Sequence, residues 1–363
     1  MIVFFIGTIA ELIKLFPVMK LLEDQGRPYK IIASGQNDLS QSDLMSHLKT
    51  PVSIHLHEGP IRQSTAGVLF WFEKTLVTAL PRLRDFMTPA ERAESILVLH
   101  GDTVSTLLGA MLGKLLGYKI AHVEAGLRSF KLFSPFPEEI CRRFVSKLAM
   151  IHFCPNDWAV NNLSAVTGEK ICTEGNTLID SLNYSKTVPV SSPLLAQLEG
   201  RTYFIFVIHR QDNIYNESLV RSLIQQIAAK TKEGLTCLFI MHEPTRIAFE
   251  SYGLNAELKA LDNLVITPRL KYLEFMKVLA GADFLVTDGG SNQEECFYLG
   301  LPCLILRTAT ERTEGLDHNV ILSHCDPKVI ASFLADPSKH RKPSQTFGES
   351  PSQVIARRLV RDA

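Results

Sequence analysis

At 363 residues, 46% of them hydrophobic, the chain is long enough to bury the cores of two ordinary domains. Lysine plus arginine equals aspartate plus glutamate at 38 each, so no overall field draws in nucleic acid or an anionic membrane surface, and an anionic ligand must be met locally. The seven cysteines form no CxxC pair, no uncharged apolar run reaches eighteen residues, and the first twenty residues carry Glu11 and Lys14 without a basic leader, so a cytoplasmic protein with core thiols and no membrane insertion is expected.

Short β-rich runs alternate with helical periodicity, the pattern of parallel sheets connected by helices. The first strand, 2–7 (IVFFIG), runs into a glycine turn, GTIAE, and a helix carrying Lys14. Strands are then predicted at 29–35, 53–57, 96–101, 119–125 and 151–155. The longest intervening helices, near 65–86 and 104–117, repeat leucine and alanine at spacings of three and four, as a sheet-covering helix should. A boundary near 173–185 precedes a second series of strands at 204–209, 236–242, 264–268, 283–288 and 302–306. A Pro/Ser-rich segment around 337–351 leads to a last helix at roughly 352–360. The expected fold is therefore α/β, with two Rossmann-like, doubly wound domains.

Open parallel sheets present ligands at the carboxyl ends of their strands. Six polar clusters stand there: GTIAELIK, GDT (101–103), EAGLR (124–128), HRQDN (209–213), HEP (242–244) and DGGSNQEE (288–295). Any one reads as a turn with capping residues; six, from both halves, read as a cleft between domains. In the last cluster Gly289, Gly290 and Ser291 leave backbone N–H groups to face an anion, which makes a phosphate seat. Glu294 and Glu295 follow one turn later, and at least one of them suits the hydroxyls of a ribose; the bland alternative is an acidic first turn complementing the helix dipole.

Glu124 follows an apolar strand directly, where scarce water raises a carboxyl's proton affinity, and Asp102 is placed the same way. Glu138 and Arg142, after a loop punctuated by Pro135 and Pro137, lie four apart on a helix and form either an acid–base pair or a surface salt bridge. His100 and His122 read as structural, and His242 is open between the two roles. His55 and His57 share a strand face but have no partner at ligand spacing, so no metal site is expected.

The ordered motifs GT..E.IKL.PV, GDT, HVEAGLRS, SPFPEE..R, GNT.ID, HR..N, D-GG..QEE and LILR..TER, from Gly7 to about Glu314, resemble the non-hydrolysing UDP-N-acetylglucosamine 2-epimerases. The resemblance implies a glycosyltransferase-B type fold, with a first domain at 1–175, a UDP-binding domain at 176–345, a C-terminal helix (346–363) crossing back, and the active site in the interdomain cleft. It implies that UDP is eliminated to a 2-acetamidoglucal and added back with C2 inverted, without cofactor or metal, in a homodimer formed through the first domain. By matching motif, Asp102, Glu124 and Glu138 would be the acid–base carboxylates and His209 would contact the diphosphate or assist its departure. Lys14, Arg210 and the Gly289–Ser291 turn would hold the diphosphate, with Asn213 and His242 beside it; Arg142 would orient Glu138, Glu295 would bind ribose, and Phe275 would stack on uracil.

Two departures stand out against the family pattern. Its GTRPE turn, whose arginine reaches the diphosphate, reads GTIAE here, with Ile9 and Ala10 in place of Arg-Pro, and its D-S-G-G becomes Asp288-Gly289-Gly290-Ser291. Losing one preorganised contact to a leaving group typically costs roughly 2.7–4 kcal/mol. That loss leaves a second expectation open, a glycosyltransferase that keeps the UDP-sugar site and passes the sugar to an acceptor.

Overall fold

The computed structural model describes residues 1–59, 61, 65–130, 137–310, 312–346 and 348–361. Pro135, expected to punctuate a loop, lies outside the described residues. The chain divides into two compact units, Met1–Tyr184 with 347–363, and 185–346, so the division falls inside the helix Leu178–Thr187.

The first unit is built on a seven-stranded parallel sheet of β1 (Ile2–Ile6), β2 (Tyr29–Ala33), β3 (Ile54–His55), β4 (Ile96–His100), β5 (Lys119–Val123), β6 (Ile151–Cys154) and β7 (Glu169–Cys172), in the order β3-β2-β1-β4-β5-β6-β7. Every residue of β1 and β4 is buried, as expected of central strands covered by helices on both faces. The order reverses between β1 and β4, so their carboxyl ends form the switch point where such a sheet opens a crevice. The helix Ile9–Asp24 leaves β1 through Gly7, where an added Cβ would meet Ser105 Oγ at 1.9 Å, so only glycine lets the turn approach the helix Val104–Leu116. Pro17 inside the first helix has no N–H for the Ile13 carbonyl, and the Ser181 hydroxyl donates to it instead.

The last helix, Pro351–Arg361, belongs to the first unit and packs on Ile9–Asp24 through Ile355, Ala356 and Leu359. Ser352 N–H donates to Asp180 Oδ2 at 2.9 Å, and Arg358 grips Glu169 with nitrogen–oxygen distances of 2.7 and 2.9 Å.

The second unit carries a six-stranded parallel sheet of β8 (Tyr203–Val207), β9 (Thr236–Ile240), β10 (Leu264–Thr267), β11 (Leu285–Thr287), β12 (Cys303–Ile305) and β13 (Val320–Leu322), in the order β10-β9-β8-β11-β12-β13. Its switch point lies between β8 and β11. Phe204, Phe206, Phe239, Phe249, Phe284 and Phe333 fill the core, with Phe204 and Phe284 stacked at 4.7 Å. Each fully buried phenylalanine contributes about 1.5–3 kcal/mol of transfer free energy.

Three strands differ from the sequence expectation. β7 and β13 were not anticipated, because both are short edge strands paired on one side only, and β7 begins with Glu169 and Lys170. The run 53–57 yields only two paired residues. Among the described residues, no helix is long and apolar enough to cross a membrane.

Candidate active site

In the first unit the expected carboxylates stand at the ends of neighbouring strands. His100 and Val123 are register partners of β4 and β5, so Asp102 and Glu124 leave the sheet side by side. Glu124 is buried and, although not glycine, sits at φ 62°, a left-handed conformation that costs about 1–3 kcal/mol and persists where surrounding contacts impose it. Those contacts are present: one carboxylate oxygen, Oε2, is shared by the buried Lys14 ammonium and the Asn176 amide, with His100 Nε2 at 3.8 Å. Lys14, expected to reach a diphosphate, thus has its charge on Glu124. A small recess adjoins this group, lined by Val123, Glu124, Pro155, Thr173, Asn176 and Ile355 among others.

Arg142 joins Asp102 to the helix Glu138–Leu148. Its guanidinium pairs with Asp102 and, at 3.3 Å, with Glu139, a fully buried residue absent from the sequence-based site. Burial would push the Glu139 carboxyl up, but the Ser129 N–H, Arg143, Arg142 and Arg128 hold it below the usual carboxylate range. Glu138 opens the same helix, half-buried. Burial pushes the Cys141 thiol up to about 12, and the carboxylates of Asp102 and Glu138 add to the effect, which puts both within electrostatic reach of one sulfur. Asp102 is thus paired with Arg142, and Glu138 lies one helical turn before Arg142 on the same helix.

Glu11, part of the opening motif but not of the expected site, is buried among donors. Its Oε2 accepts Gly7 N–H at 2.6 Å and Thr8 N–H at 3.3 Å; its Oε1 accepts the hydroxyls of Thr103 and, at 3.3 Å, Thr106. Burial outweighs these bonds and raises its pKa to about 7. Ile9 N–H donates to Asn37 Oδ1 at 3.2 Å. The amides at this helix start are thus used within the protein.

In the second unit Asp288 organises the ends of β8 and β11. Fully buried, it accepts the backbone N–H groups of His209 at 3.1 Å and Arg210 at 2.9 Å and the Asn213 amide at 3.0 Å, while His209 Nδ1 lies 3.0 Å away. Burial alone would raise the Asp288 carboxyl; the hydrogen bonds and charge of His209, with Arg210 and Asn213, more than offset it and hold it low. Asn213, expected near the ligand, is buried and also donates to the Leu306 carbonyl at 2.8 Å. The rings of His209 and His242 lie 4.9 Å apart, and burial, then His209 and Arg269, lower His242 to about 4.

The helix Gly290–Leu299 starts at this place, with Gly289 as its N-cap and Gly289, Gly290 and Ser291 half-buried. A Cβ on Gly290 would meet Arg312 Nε at 3.2 Å and Arg307 Nη1 at 3.8 Å, so two guanidinium groups lie against the helix start. Arg312 also pairs with Glu294 at 2.6 Å, and Glu295 Oε2 accepts the Asn292 amide at 2.9 Å. Phe275 is half-buried on the helix Tyr272–Ala280, whose core face is Tyr272, Leu273, Met276, Val278 and Leu279.

The sequence profile of the UDP-N-acetylglucosamine 2-epimerases matches residues 22–352. The chain belongs to that family. It is 28% identical over 371 residues to the UDP-N-acetylglucosamine 2-epimerase of Methanocaldococcus jannaschii, a match spanning 98% of this chain and 96% of the relative. The UDP-2,3-diacetamido-2,3-dideoxy-D-glucuronate 2-epimerase of Pseudomonas aeruginosa is 29% identical over 341 residues, 91% of this chain and 88% of the relative. The fold agrees with the crystal structure of UDP-GlcNAc 2-epimerase from Neisseria meningitidis bound to UDP-GlcNAc, with a TM-score of 0.83 at 24% identity over 99% of both chains. Two doubly wound units of the glycosyltransferase-B class, expected from sequence, are what the epimerase family fold contains here.

Besides Glu11, three groups at these epimerase-family motifs escaped sequence reading. Glu139 competes with Glu138 for Arg142, since spacings of three and four both bring a carboxylate onto the same helix face. Arg307 and Arg312, in the LILR..TER motif, had a motif signal but no partner in sequence to say where they point.

Proposed function

We propose that the chain is a UDP-N-acetylglucosamine 2-epimerase, acting on UDP-GlcNAc or a close UDP-HexNAc by eliminating UDP and adding it back to the opposite configuration at C2. The observation that carries the reading is the set of carboxylates in the first unit, Asp102 and Glu124 at adjacent strand ends with Glu138 beside Arg142. The hydrogen on C2 has no ring carbonyl to acidify it, so C1–O cleavage must run ahead and leave an oxocarbenium-like centre that nearby carboxylates stabilise.

In this reading Asp102, Glu124 and Glu138 are the acid–base groups, and Arg142 orients Asp102. Protonation of Glu124 would release the Lys14 ammonium toward the charge growing on the departing diphosphate. In the second unit the Gly289–Ser291 helix start, Arg307, Arg312, His209 and Arg210 suit a diphosphate, with His242 alongside; Glu295 suits a ribose diol and Phe275 a uracil face. No observation favours the glycosyltransferase alternative. Exposed apolar residues on the helix Thr65–Phe86, Phe70 at 68% and Val77 at 70%, support a homodimer through the first unit, and a cytosolic location accords with the absence of a membrane-crossing helix among the described residues.

The test is incubation with UDP-GlcNAc in heavy water, followed by NMR at C2. Deuterium should enter C2 as the manno product builds up. A C2 that stays protiated while UDP is released only on addition of a sugar acceptor would instead make the enzyme a transferase.

A further inference from the structure

Glu11 makes one arrangement that local structure explains and one that it does not. Thr8 and Glu11 form a capping box at the start of the helix Ile9–Asp24, and that motif needs a single carboxylate oxygen, here Oε2 on Gly7 and Thr8 N–H. The other oxygen, Oε1, turns away from its own helix to the hydroxyls of Thr103 and Thr106, beyond β4 and across the switch point. Thr103 is the residue after Asp102. On the other side of Asp102, the Gly101 carbonyl accepts His122 Nε2–H at 2.7 Å, and Gly101 holds φ 69°. Burial drives the His122 imidazole down to about 4, so it stays a neutral donor. The turn carrying Asp102 is thus tied at both flanks by buried side chains, while Arg142 holds the carboxylate itself.

We infer that Glu11 is a positioning residue for Asp102, acting through the Thr103 hydroxyl with His122 as its counterpart on Gly101. The inference rests on the epimerase reading for what Asp102 does, and not for the tether. A purely structural cap would have no reason to spend a second carboxylate oxygen on a turn 92 residues away. A small displacement of a catalytic carboxylate lowers turnover steeply while leaving substrate affinity nearly unchanged.

The experiment compares wild type, Glu11→Gln, Thr103→Val, Thr103→Ser and the double variant Glu11→Gln/Thr103→Val. Hydrogen exchange at the Gly101 and Thr106 amides, which donate to Val123 O and Thr103 Oγ1, reads the tether directly. It is expected to quicken about tenfold at both amides in Glu11→Gln and at Gly101 in Thr103→Val, where the Thr106 amide loses its own acceptor and is not read. The kcat of both should fall about tenfold or more with KM within twofold, Thr103→Ser should restore it, and the double variant should be no slower than the slower single. Unchanged amide exchange overturns the tether whatever the activity. Quickened exchange with unchanged kcat, or single effects that multiply in the double variant, overturns positioning. A wild-type protein that leaves C2 unexchanged while the amides respond as expected overturns the epimerase reading, and with it the role given to Asp102, but leaves the tether standing.

Discussion

Replacing Glu124 by glutamine keeps the shape of the side chain and removes its charge, leaving the Lys14 ammonium, 3% exposed, without the carboxylate it now touches. Breaking a buried ion pair from one side costs about 3–5 kcal/mol, because the remaining charge stays desolvated. For a unit of about 200 residues, where 1 kcal/mol shifts the midpoint by about 2–4 °C, the first unit should melt about 6–20 °C lower. Lys14→Met combined with Glu124→Gln removes both charges and should recover most of that loss, since replacing a whole buried pair with uncharged groups is often neutral or stabilising. Calorimetry of the single and double variants measures this, and C2 deuterium exchange on the same samples measures chemistry. Exchange should fall about 10²–10⁴-fold in both, because refolding the site does not restore the acid–base group. A single variant melting within about 2 °C of wild type refutes the dry ion pair. Recovery of exchange in the double variant refutes Glu124 as the acid–base group.

Other outcomes follow from the same geometry. Arg142→Met leaves Asp102 and the fully buried Glu139 without their shared cation, and kcat should drop about 10²-fold with a loss of about 3–5 kcal/mol in stability, checked by turnover and denaturant titration; an unchanged denaturation midpoint would contradict the bridging role. Between pH 4.5 and 6.5 two buried groups oppose each other. His122, lowered to about 4, contributes stability that is complete above 6.5 and lost as pH falls through 4; Glu11, raised to about 7, contributes stability complete below 4.5 and lost as pH rises through 7. Glu11→Gln should therefore expose the His122 slope, roughly 1.4 kcal/mol lost per unit of pH fall, seen as a steeper acid decline of melting temperature than in wild type. Ile9→Arg places a cation at the start of the first helix and should raise kcat toward the roughly hundredfold that one leaving-group contact supplies, measured by initial rates.

Much of this was legible in sequence because parallel sheets put function at strand ends, and the residues just after β1, β4, β5, β8, β9 and β11 are where the site clusters stand. Helical periodicity placed 65–86 and 104–117 within a residue of the helices seen. What escaped was decided at long range. β7 and β13 are weak as patterns because edge strands are half covered. Glu11 looks like a capping residue until its second oxygen is followed to Thr103, and the pairing of Lys14 with Glu124 joins residues 110 positions apart. Arg142 has acidic neighbours at both helical spacings, and that the fully buried Glu139 pairs with it alongside Asp102 is not visible in spacing alone.

The central claim, that the C1–O bond to the diphosphate breaks and re-forms on the enzyme, is tested most directly by UDP-GlcNAc carrying oxygen-18 at the bridge between C1 and the β-phosphorus. Breaking the bond frees the β-phosphate to rotate, so the label should spread to its non-bridging oxygens as epimer accumulates. Epimer that forms while the label stays wholly in the bridge would contradict the account.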